Sequence, residues 1–149
     1  MRIVTSLVVI ASVVATVAVS RAEEAPFRGD IVKLTEQNTD FRHVLFTGHN
    51  VQVVAMTLRP GEDIGEEVHK GDQCFFFVEG AAQTVVGGNN TAMGKGGALC
   101  VPAGARHNIR NLGRDPVKLY TTYSPPQHPA GTIHHTKADA QRAEGSPAK

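Results

Sequence analysis

One of two informative segments bounded by turn residues is Gly61-Glu-Asp-Ile-Gly-Glu-Glu67-Val-His69-Lys-Gly-Asp-Gln73, continued by Cys-Phe-Phe-Phe-Val-Glu-Gly80. Glu67 and His69 are two residues apart, so on an extended chain their side chains share one face. The second segment is Gly96-Gly-Ala-Leu-Cys-Val-Pro102-Ala-Gly104-Ala-Arg-His107-Asn-Ile-Arg-Asn111, in which turn-forming residues immediately precede a histidine. These spacings suit a metal site inside a small β-barrel, with candidate donors Glu67, His69, Gln73 and His107.

The two segments resemble the two motifs of the cupin superfamily, which are written G-x5-H-x-H-x3,4-E-x6-G and G-x5-P-x-G-x2-H-x3-N. The second motif is matched at every fixed position between Gly96 and Asn111. The resemblance extends over about residues 41–140 and is to small bacterial cupins. It implies an all-β chain that folds as a single-domain cupin-type jelly-roll β-barrel. Because cupins often pair through their barrel strands, it also implies that a homodimer could form.

The first motif departs from the cupin pattern at two ligand positions. Glu67 stands where the usual first histidine would be, and Gln73 replaces the usual glutamate. The resemblance implies a divalent metal ion held by Glu67, His69 and His107, a set that suits Fe(II), with Mn, Ni or Zn as alternatives. Gln73 would be a weak neutral ligand or a hydrogen-bond partner of the ligands. The competing interpretation is that Glu67 and His69 are exposed loop residues and His107 is a core histidine.

The rest of the chain predicts one β-rich domain. At 149 residues there is room for a single core. Short β-rich runs separated by Gly and Asn clusters, with no convincing long helix between them, favour a sandwich or barrel. Gly87-Gly88-Asn89-Asn90 predicts a reverse turn of a hairpin, because Gly and Asn tolerate positive φ. The predicted strands are 31–34, 41–47, 51–58, 73–79, 83–86, 98–101, 107–111 and 117–124.

The N-terminus predicts export. Arg2 precedes an uncharged apolar run, 3–19, and Ser20-Arg21-Ala22 offers a small-x-small cleavage site, so residues 1–22 read as a signal peptide. An uncleaved membrane anchor is the alternative, since the run approaches the length that spans a bilayer. We expect a periplasmic or secreted protein with no stable membrane span after cleavage. The formal charge of +1 is not segregated into runs, which gives no support to nucleic acid as a partner.

The expected order along the chain is a signal peptide (1–22), a lead-in (23–40), the cupin β-barrel (41–124) and a C-terminal tail (125–149). In the tail, His128, His134 and His135 could reach the barrel mouth as acid–base groups or extra ligands. Alternatively they lie on an exposed, solvated tail. Thr136 could cap a short helix over 137–144.

An oxidising compartment permits a disulfide between the two cysteines. The cupin resemblance implies that the strands carrying Cys74 and Cys100 are neighbours, so a bridge could form. Two small buried thiols are the alternative. Strand alternation turns Cys74 away from Gln73 and places Phe75 and Phe77 on the Gln73 face. There they would line an apolar cavity around the metal or simply pack the core.

Three functional hypotheses follow from these observations. The first is a small metal-dependent enzyme, of oxygenase or isomerase type, that acts on a small-molecule ligand. The second is a noncatalytic metal- or ligand-binding cupin, which the loss of the usual first histidine favours. The third is a structural β-sandwich without a metal, in which the motif glycines and proline only form turns.

Overall fold

The computed structural model describes residues 25–145, so the expected signal peptide (1–22) lies outside the described residues. Within that range, no helix is both long enough and apolar enough to cross a lipid bilayer. The described chain contains two short helices, α1 (Ile31–Gln37) and α2 (Lys137–Gly145), and nine strands. The strands are β1 (Arg42–Thr47), β2 (Gln52–Leu58), β3 (Asp72–Glu79), β4 (Ala81–Val86), β5 (Asn89–Gly94), β6 (Ala98–Val101), β7 (His107–Arg110), β8 (Val117–Ser124) and β9 (Ile133–His134).

The strands form two antiparallel sheets. The larger sheet has the order β6-β3-β8-β2-β1-β9 and the smaller has the order β5-β4-β7. Two isolated bridges, Asp63 with Arg110 and Glu67 with His107, join the segment between β2 and β3 to β7 of the smaller sheet. This arrangement confirms the expected all-β jelly-roll barrel. The core between the sheets is apolar and includes Val54, Phe75, Ile109 and Leu119.

The glycines of both sequence motifs occupy backbone conformations that favour glycine. Gly61, Gly80, Gly96 and Gly104 all have φ near +80°. A Cβ atom on Gly80 would also lie 2.5 Å from the carbonyl oxygen of Pro116, so this position excludes every other residue. The glycines of the motifs are therefore explained by the geometry of the turns, and the motifs do not reflect the spacing of the candidate ligands alone.

The prediction of a strand at residues 31–34 was wrong, because these residues begin α1. Asp30 caps the helix, since its carboxylate accepts a hydrogen bond of 3.0 Å from the backbone N–H of Lys33. The hydroxyl of Thr35 donates to the carbonyl oxygen of Ile31 inside the helix. The β-branched pair Ile31-Val32 suggested a strand, whereas the aspartate in front of it was the informative signal.

Two short edge strands were not predicted. β5 pairs with β4 in the expected hairpin, but only Gly87 and Gly88 form the turn, while Asn89 and Asn90 already belong to the strand. β9 pairs Ile133 and His134 with β1, which attaches the tail to the larger sheet. The predicted C-terminal helix is confirmed as α2. Its first turn is capped by reciprocal hydrogen bonds between Thr136 and Asp139.

Cys74 and Cys100 face each other directly on β3 and β6 and form a disulfide. The bridge therefore exists in the structure, and the alternative of two separate buried thiols is wrong. The bridge lies on the side of the sheet opposite Gln73, as strand alternation predicts. Phe76 also points outward, where its ring stacks on that of Tyr120 at 4.8 Å.

Candidate metal site

The site is built on the bridge between Glu67 and His107. The backbone N–H of Glu67 donates to His107 at 2.9 Å, and the N–H of His107 donates back at 3.0 Å. This exchange holds the two residues opposite each other, and His69 follows two residues later. One ligand atom from each of Glu67, His69 and His107 lies within 4.8 Å of the other two. The structure therefore brings together three of the four predicted donors as a candidate metal site.

His107 is oriented by its backbone surroundings. Its Nδ1 lies 3.0 Å from the carbonyl oxygen of Ala105, and because a carbonyl oxygen only accepts, Nδ1 carries the hydrogen. In the neutral ring, Nε2 then presents a lone pair toward the interior of the site. Oε1 of Gln73 lies 2.9 Å from Nε2, and Oε2 of Glu67 lies 3.9 Å from it. Nε2 is thus directed at oxygen atoms, an arrangement that a cation would satisfy.

Gln73 approaches His107 from β3 and is almost fully buried. Its amide nitrogen donates to the hydroxyl of Thr121 at 3.2 Å, which turns the amide oxygen toward Nε2 of His107. A bound cation would be shared by these two atoms. In the metal-free protein, a rotated Gln73 amide would donate its N–H to Nε2 of His107 and accept from the hydroxyl of Thr121. Both hydrogen bonds are then kept, because that hydroxyl can donate as well as accept. Ligation by Gln73 stays a prediction.

Glu67 and His69 form the more exposed side of the site. Nε2 of His69 lies 3.0 Å from Oε2 of Glu67. The His69 ring also packs at right angles to that of Tyr123, with centroids 5.4 Å apart. Burial, and then the nearby Glu67 carboxylate, raise the pKa of Tyr123 well above its ordinary value. The phenol therefore stays protonated and available as a hydrogen-bond donor.

Arg42 places a buried positive charge beside the site. Its side chain is only 2% exposed, and Nη2 lies 3.9 Å from Oε1 of Glu67. Nη1 donates to Glu144 of α2 at 2.7 Å, and it lies 3.5 Å from Nδ1 of His134. Nε has no hydrogen-bond partner among the described residues. Arg42 therefore links the candidate ligand Glu67 to the C-terminal helix.

Aromatic side chains form the inner walls. The ring of Phe75, which belongs to the buried core, packs edge-on against that of His107 at 5.7 Å. Phe77 lies in the apolar core. A row of inward side chains crosses the larger sheet at the level of the site, and its members face one another in register: Gln52, Tyr123, Gln73 and Val101.

The structure separates the three tail histidines. The His128 ring packs at right angles to that of Tyr123, with centroids 5.2 Å apart, and its Nε2 is buried without a hydrogen-bond partner in the described chain. Burial, followed by the charges of Arg42, His69 and His134, lowers the pKa of His128 to about 3. Gln52 holds this segment by binding both the N–H and the carbonyl group of His128. His128 is thus partly buried against the barrel and does not lie on a solvated tail.

The other two tail histidines differ from His128. His134 contacts Arg42, and burial together with that positive charge lowers its pKa. His135 is 78% exposed, and its hydrogen bond to Asp40 raises its pKa. For His135, therefore, the interpretation as an exposed tail residue holds. None of the three tail histidines shares the cluster formed by Glu67, His69 and His107.

Sequence reasoning missed Arg42 and Tyr123 as parts of the site. Alternation along β1 places Arg42 on the same face as buried Val44, and alternation along β8 places Tyr123 with Leu119. Both inward positions could have been read from the sequence. The contact between Arg42 and Glu144 could not, because it joins residues 102 positions apart.

The donor chemistry fits a divalent metal ion. Glu67 supplies one negative charge and the two histidines supply neutral nitrogen atoms, which is the two-histidine, one-carboxylate set of Fe(II) sites; Mn, Ni and Zn accept the same donors. The orientation of His107 through the carbonyl of Ala105 matches what a ligating imidazole needs. The fold and this cluster together support a metal-binding protein, while the identity of the ion is not determined.

Comparisons with known proteins agree with this architecture. The Cupin domain family matches residues 54–123. The uncharacterized protein YrkC of Bacillus subtilis is 43% identical over 126 residues, which cover 80% of this chain and 68% of the relative. The tetracenomycin polyketide synthase protein TcmJ of Streptomyces glaucescens is 32% identical over 81 residues, which cover 54% of this chain and 50% of that protein.

Solved structures show the same relationship in three dimensions. The crystal structure of BH2720 from Bacillus halodurans matches with a TM-score of 0.78 and 41% identity, and the match covers 79% of this chain and 95% of that one. A cupin superfamily protein from Desulfitobacterium hafniense matches with a TM-score of 0.57 at 22% identity, which bears on the fold alone. From its motifs, its sheets and these similarities, the chain belongs to the cupin superfamily, as a small single-domain member.

Proposed function

We propose that the protein is an exported cupin that holds a divalent metal ion through Glu67, His69 and His107 and acts as a metal-dependent enzyme on a small molecule. The observation that carries the proposal is the orientation of His107. Its Nδ1–H is committed to the carbonyl of Ala105, which leaves the lone pair of Nε2 directed at the oxygen atoms of Glu67 and Gln73. A divalent cation would satisfy all of these atoms together.

A bound divalent ion would supply a Lewis acid that polarises an oxygen atom of the substrate. The protein side chains would bind the substrate and exclude water. Tyr123, held as a neutral phenol by burial and by Glu67, can donate a hydrogen bond to a substrate oxygen. Phe75 packs against His107 and excludes water from the buried side. These features support either an oxygenase or an isomerase type of reaction.

Metal analysis tests the metal centre. The protein is purified without added ions, and its Fe, Mn, Ni and Zn contents are measured together with thermal stability before and after dialysis against a chelator. We expect one divalent ion per chain and a lower melting temperature after chelation. Absence of a stoichiometric ion, combined with an unchanged melting temperature, would refute the proposal.

The runner-up is a noncatalytic metal- or ligand-binding cupin. It is favoured by Glu67 at the position where the cupin pattern has its first histidine. TcmJ, a protein of a polyketide synthase, favours catalysis, although it is related to this chain over only half of its own length. Screening the Fe(II)-loaded protein for O2 consumption with phenols, thiols and sugars separates an oxygenase from a binder. An isomerase needs a second screen, by NMR, for rearranged products.

The proposal also includes export of the protein and formation of a homodimer. The disulfide between Cys74 and Cys100 supports an oxidising compartment, which agrees with the signal-like sequence of residues 1–22. We expect the protein isolated from the periplasm or medium to begin at Glu23, which intact mass spectrometry would test. A homodimer, proposed from the cupin resemblance, predicts twice the chain mass by light scattering.

A further inference from the structure

The unusual feature beside the metal site is the buried guanidinium of Arg42, which is only partly satisfied by the protein. Its one short charge-assisted hydrogen bond runs from Nη1 to Glu144 at 2.7 Å. Nη2 reaches no closer than 3.9 Å to the carboxylate of Glu67, which is beyond hydrogen-bond distance, and Nε has no partner within residues 25–145. A buried guanidinium with unused donors is costly, so a carboxylate hydrogen-bonded to these donors would be stabilising.

The unused donors have the geometry that recognises a carboxylate. Nε and Nη2 lie on one edge of the planar guanidinium, and this edge binds both oxygens of a carboxylate in a bidentate pair. A lysine could not provide the same two parallel hydrogen bonds. The position of Arg42 in β1 is also rigid, because Val44, on the same strand, is packed in the apolar core.

A cavity of about 150 Å³ lies against this group. Its walls combine the buried apolar residues Phe41, Ile64 and Ala140 with Arg42, Glu67 and Glu144. The volume is below the roughly 300–1,000 Å³ of pockets for drug-sized ligands. It therefore suits a small molecule with one charged end and a body of only a few atoms.

The charges around the cavity favour exchange of one carboxylate for another. Glu66 pairs with Arg106, and Lys137 pairs with Asp63, so these four charges are already balanced. Arg42 alone faces both Glu67, a candidate ligand of the metal, and Glu144. Glu144 is 57% exposed in the last turn of α2, where it can leave at little cost. If Glu144 leaves Nη1 as a ligand carboxylate binds the Nε–Nη2 edge, the local charge stays the same.

We propose that the Nε–Nη2 edge of Arg42 and this cavity form a binding site for a short-chain carboxylate, and that Glu144, held by Nη1, leaves the guanidinium as the ligand binds. The inference rests on the proposed function for its place beside a metal ion and deepens it by naming the ligand class. Binding to Arg42 itself does not require the metal. Because Glu67 borders both the cavity and the cluster with His69 and His107, a carboxylate held here would reach toward the metal centre.

The test is an NMR titration of the full chain with sodium propionate, with propionamide as the neutral control of the same shape. It is carried out on chelator-dialysed protein and again on Zn²⁺-loaded protein, following the side-chain Nε–H signal of Arg42. We expect propionate to shift this signal in both forms and propionamide to leave it unchanged. Arg42→Lys should weaken propionate binding at least about tenfold, because it removes the bidentate edge.

Glu144→Gln gives a second, independent measurement that does not alter the buried cation. Removing the internal competitor should tighten propionate binding about twofold to fivefold, the range expected for an exposed ion pair. Glu36→Gln, an exposed glutamate on α1, is the matched control and should change nothing. If Arg42→Lys does not fold, the Glu144 variant and the Nε–H signal still decide the question.

The outcomes separate this inference from the proposed function. Propionate that binds only the Zn²⁺-loaded protein and still binds Arg42→Lys would be held by the metal, which overturns the Arg42 site and supports the metal centre. Propionate that binds metal-free protein through Arg42, in a chain that holds no stoichiometric metal, would support the Arg42 site and overturn the metal centre. No shift with propionate in either wild type or Glu144→Gln would refute the Arg42 site.

Discussion

The two halves of the candidate metal site are held in different ways. Gln73 and His107, the wall half, lie on β3 and β7 and are almost fully buried. Glu67 and His69, the loop half, lie between β2 and β3 and are partly exposed. The backbone of Glu67 is hydrogen-bonded to that of His107, the carbonyl of His69 accepts from Gly104, and Arg42 lies beside Glu67. Each half contains one residue that matches the cupin pattern and one that departs from it. We therefore expect changes in the wall half to affect fold and metal together, and changes in the loop half to affect mainly the metal.

The largest effect is expected for His107→Ala in the wall half. The change removes a ligand and leaves the oxygen of buried Gln73 without its partner. Since losing even an outer hydrogen-bond partner of a ligand costs roughly 10–100-fold in metal affinity, loss of the ligand should cost more and abolish stoichiometric binding. Elemental analysis and a competition titration would measure this. His135→Ala, which removes an exposed histidine, should leave both unchanged.

Removing the disulfide tests whether the wall half is a rigid scaffold. A double change, Cys74→Ala with Cys100→Ala, opens a loop of 26 residues and should lower the unfolding free energy by about 3 kcal/mol. Denaturant unfolding, with and without a reducing agent on the parent protein, measures the loss. The double variant should still bind metal when folded, because both sulfur atoms lie away from Gln73. An unchanged midpoint would mean that the strands alone hold this wall.

Glu67→Gln tests the loop half. The variant keeps the shape of the side chain but removes the negative ligand, so metal affinity should fall about 100-fold, at the upper end of the range for ligand-supporting groups. Its unfolding free energy without metal should change little, since Glu67 is partly exposed. The adjacent Glu66→Gln is the control, because Glu66 pairs with Arg106 on the surface. Equal affinities in the two variants would remove Glu67 from the ligand set.

Two substitutions of Gln73 test how its departure from the cupin pattern affects metal binding by the wall half. Gln73→Glu restores the usual residue and adds a negative charge beside His107, so metal affinity should rise by about tenfold or less. Gln73→Ala should lower affinity by a similar factor if the amide oxygen contacts the metal or orients His107. Competition titrations with Mn²⁺ and Zn²⁺ compare the three proteins. Should all three bind alike, Gln73 would be only a packing residue.

The halves also differ in how well the sequence predicted them. The glycine spacing and strand alternation pointed to four candidate donors, of which the structure brings Glu67, His69 and His107 together, because local backbone geometry controls both features. The surroundings of the loop half depend on contacts between distant residues. The pairing of Arg42 with Glu144 and the burial of His128 follow from where β9 and α2 pack, and no local pattern encodes that packing.

Local rules also failed where polar residues form the structure. In α1, the buried residue is Thr35 and not one of its aliphatic neighbours, so hydrophobic periodicity could not separate a helix from a strand. β5 is largely exposed and poor in β-branched residues, and its existence depends on pairing with β4. The sequence therefore predicted the barrel more accurately than its edges.

The smallest effect is expected for His128, which covers the loop half through Tyr123. Its pKa is lowered from an ordinary value of 6.5 to about 3, mainly by burial, so the folded protein keeps it neutral between these pH values while the unfolded chain takes up a proton. As the pH falls below 6.5, the wild type should therefore lose stability that His128→Phe keeps. The gap should reach about 1 kcal/mol by pH 4, after allowing for partial exposure of the ring.

Denaturant unfolding of chelator-treated wild type and His128→Phe, at pH 7, 5.5 and 4, measures the gap directly. Phenylalanine retains the edge-on packing against Tyr123 and does not titrate, so the carboxylates common to both proteins cancel in the difference. His135→Phe is a control for which the pH dependence of stability should have the opposite sign. The pKa of His135 is raised by Asp40, so its stabilisation is present at low pH and is lost as the pH rises. A difference between wild type and His128→Phe that does not vary with pH would place His128 in water and leave the loop half uncovered.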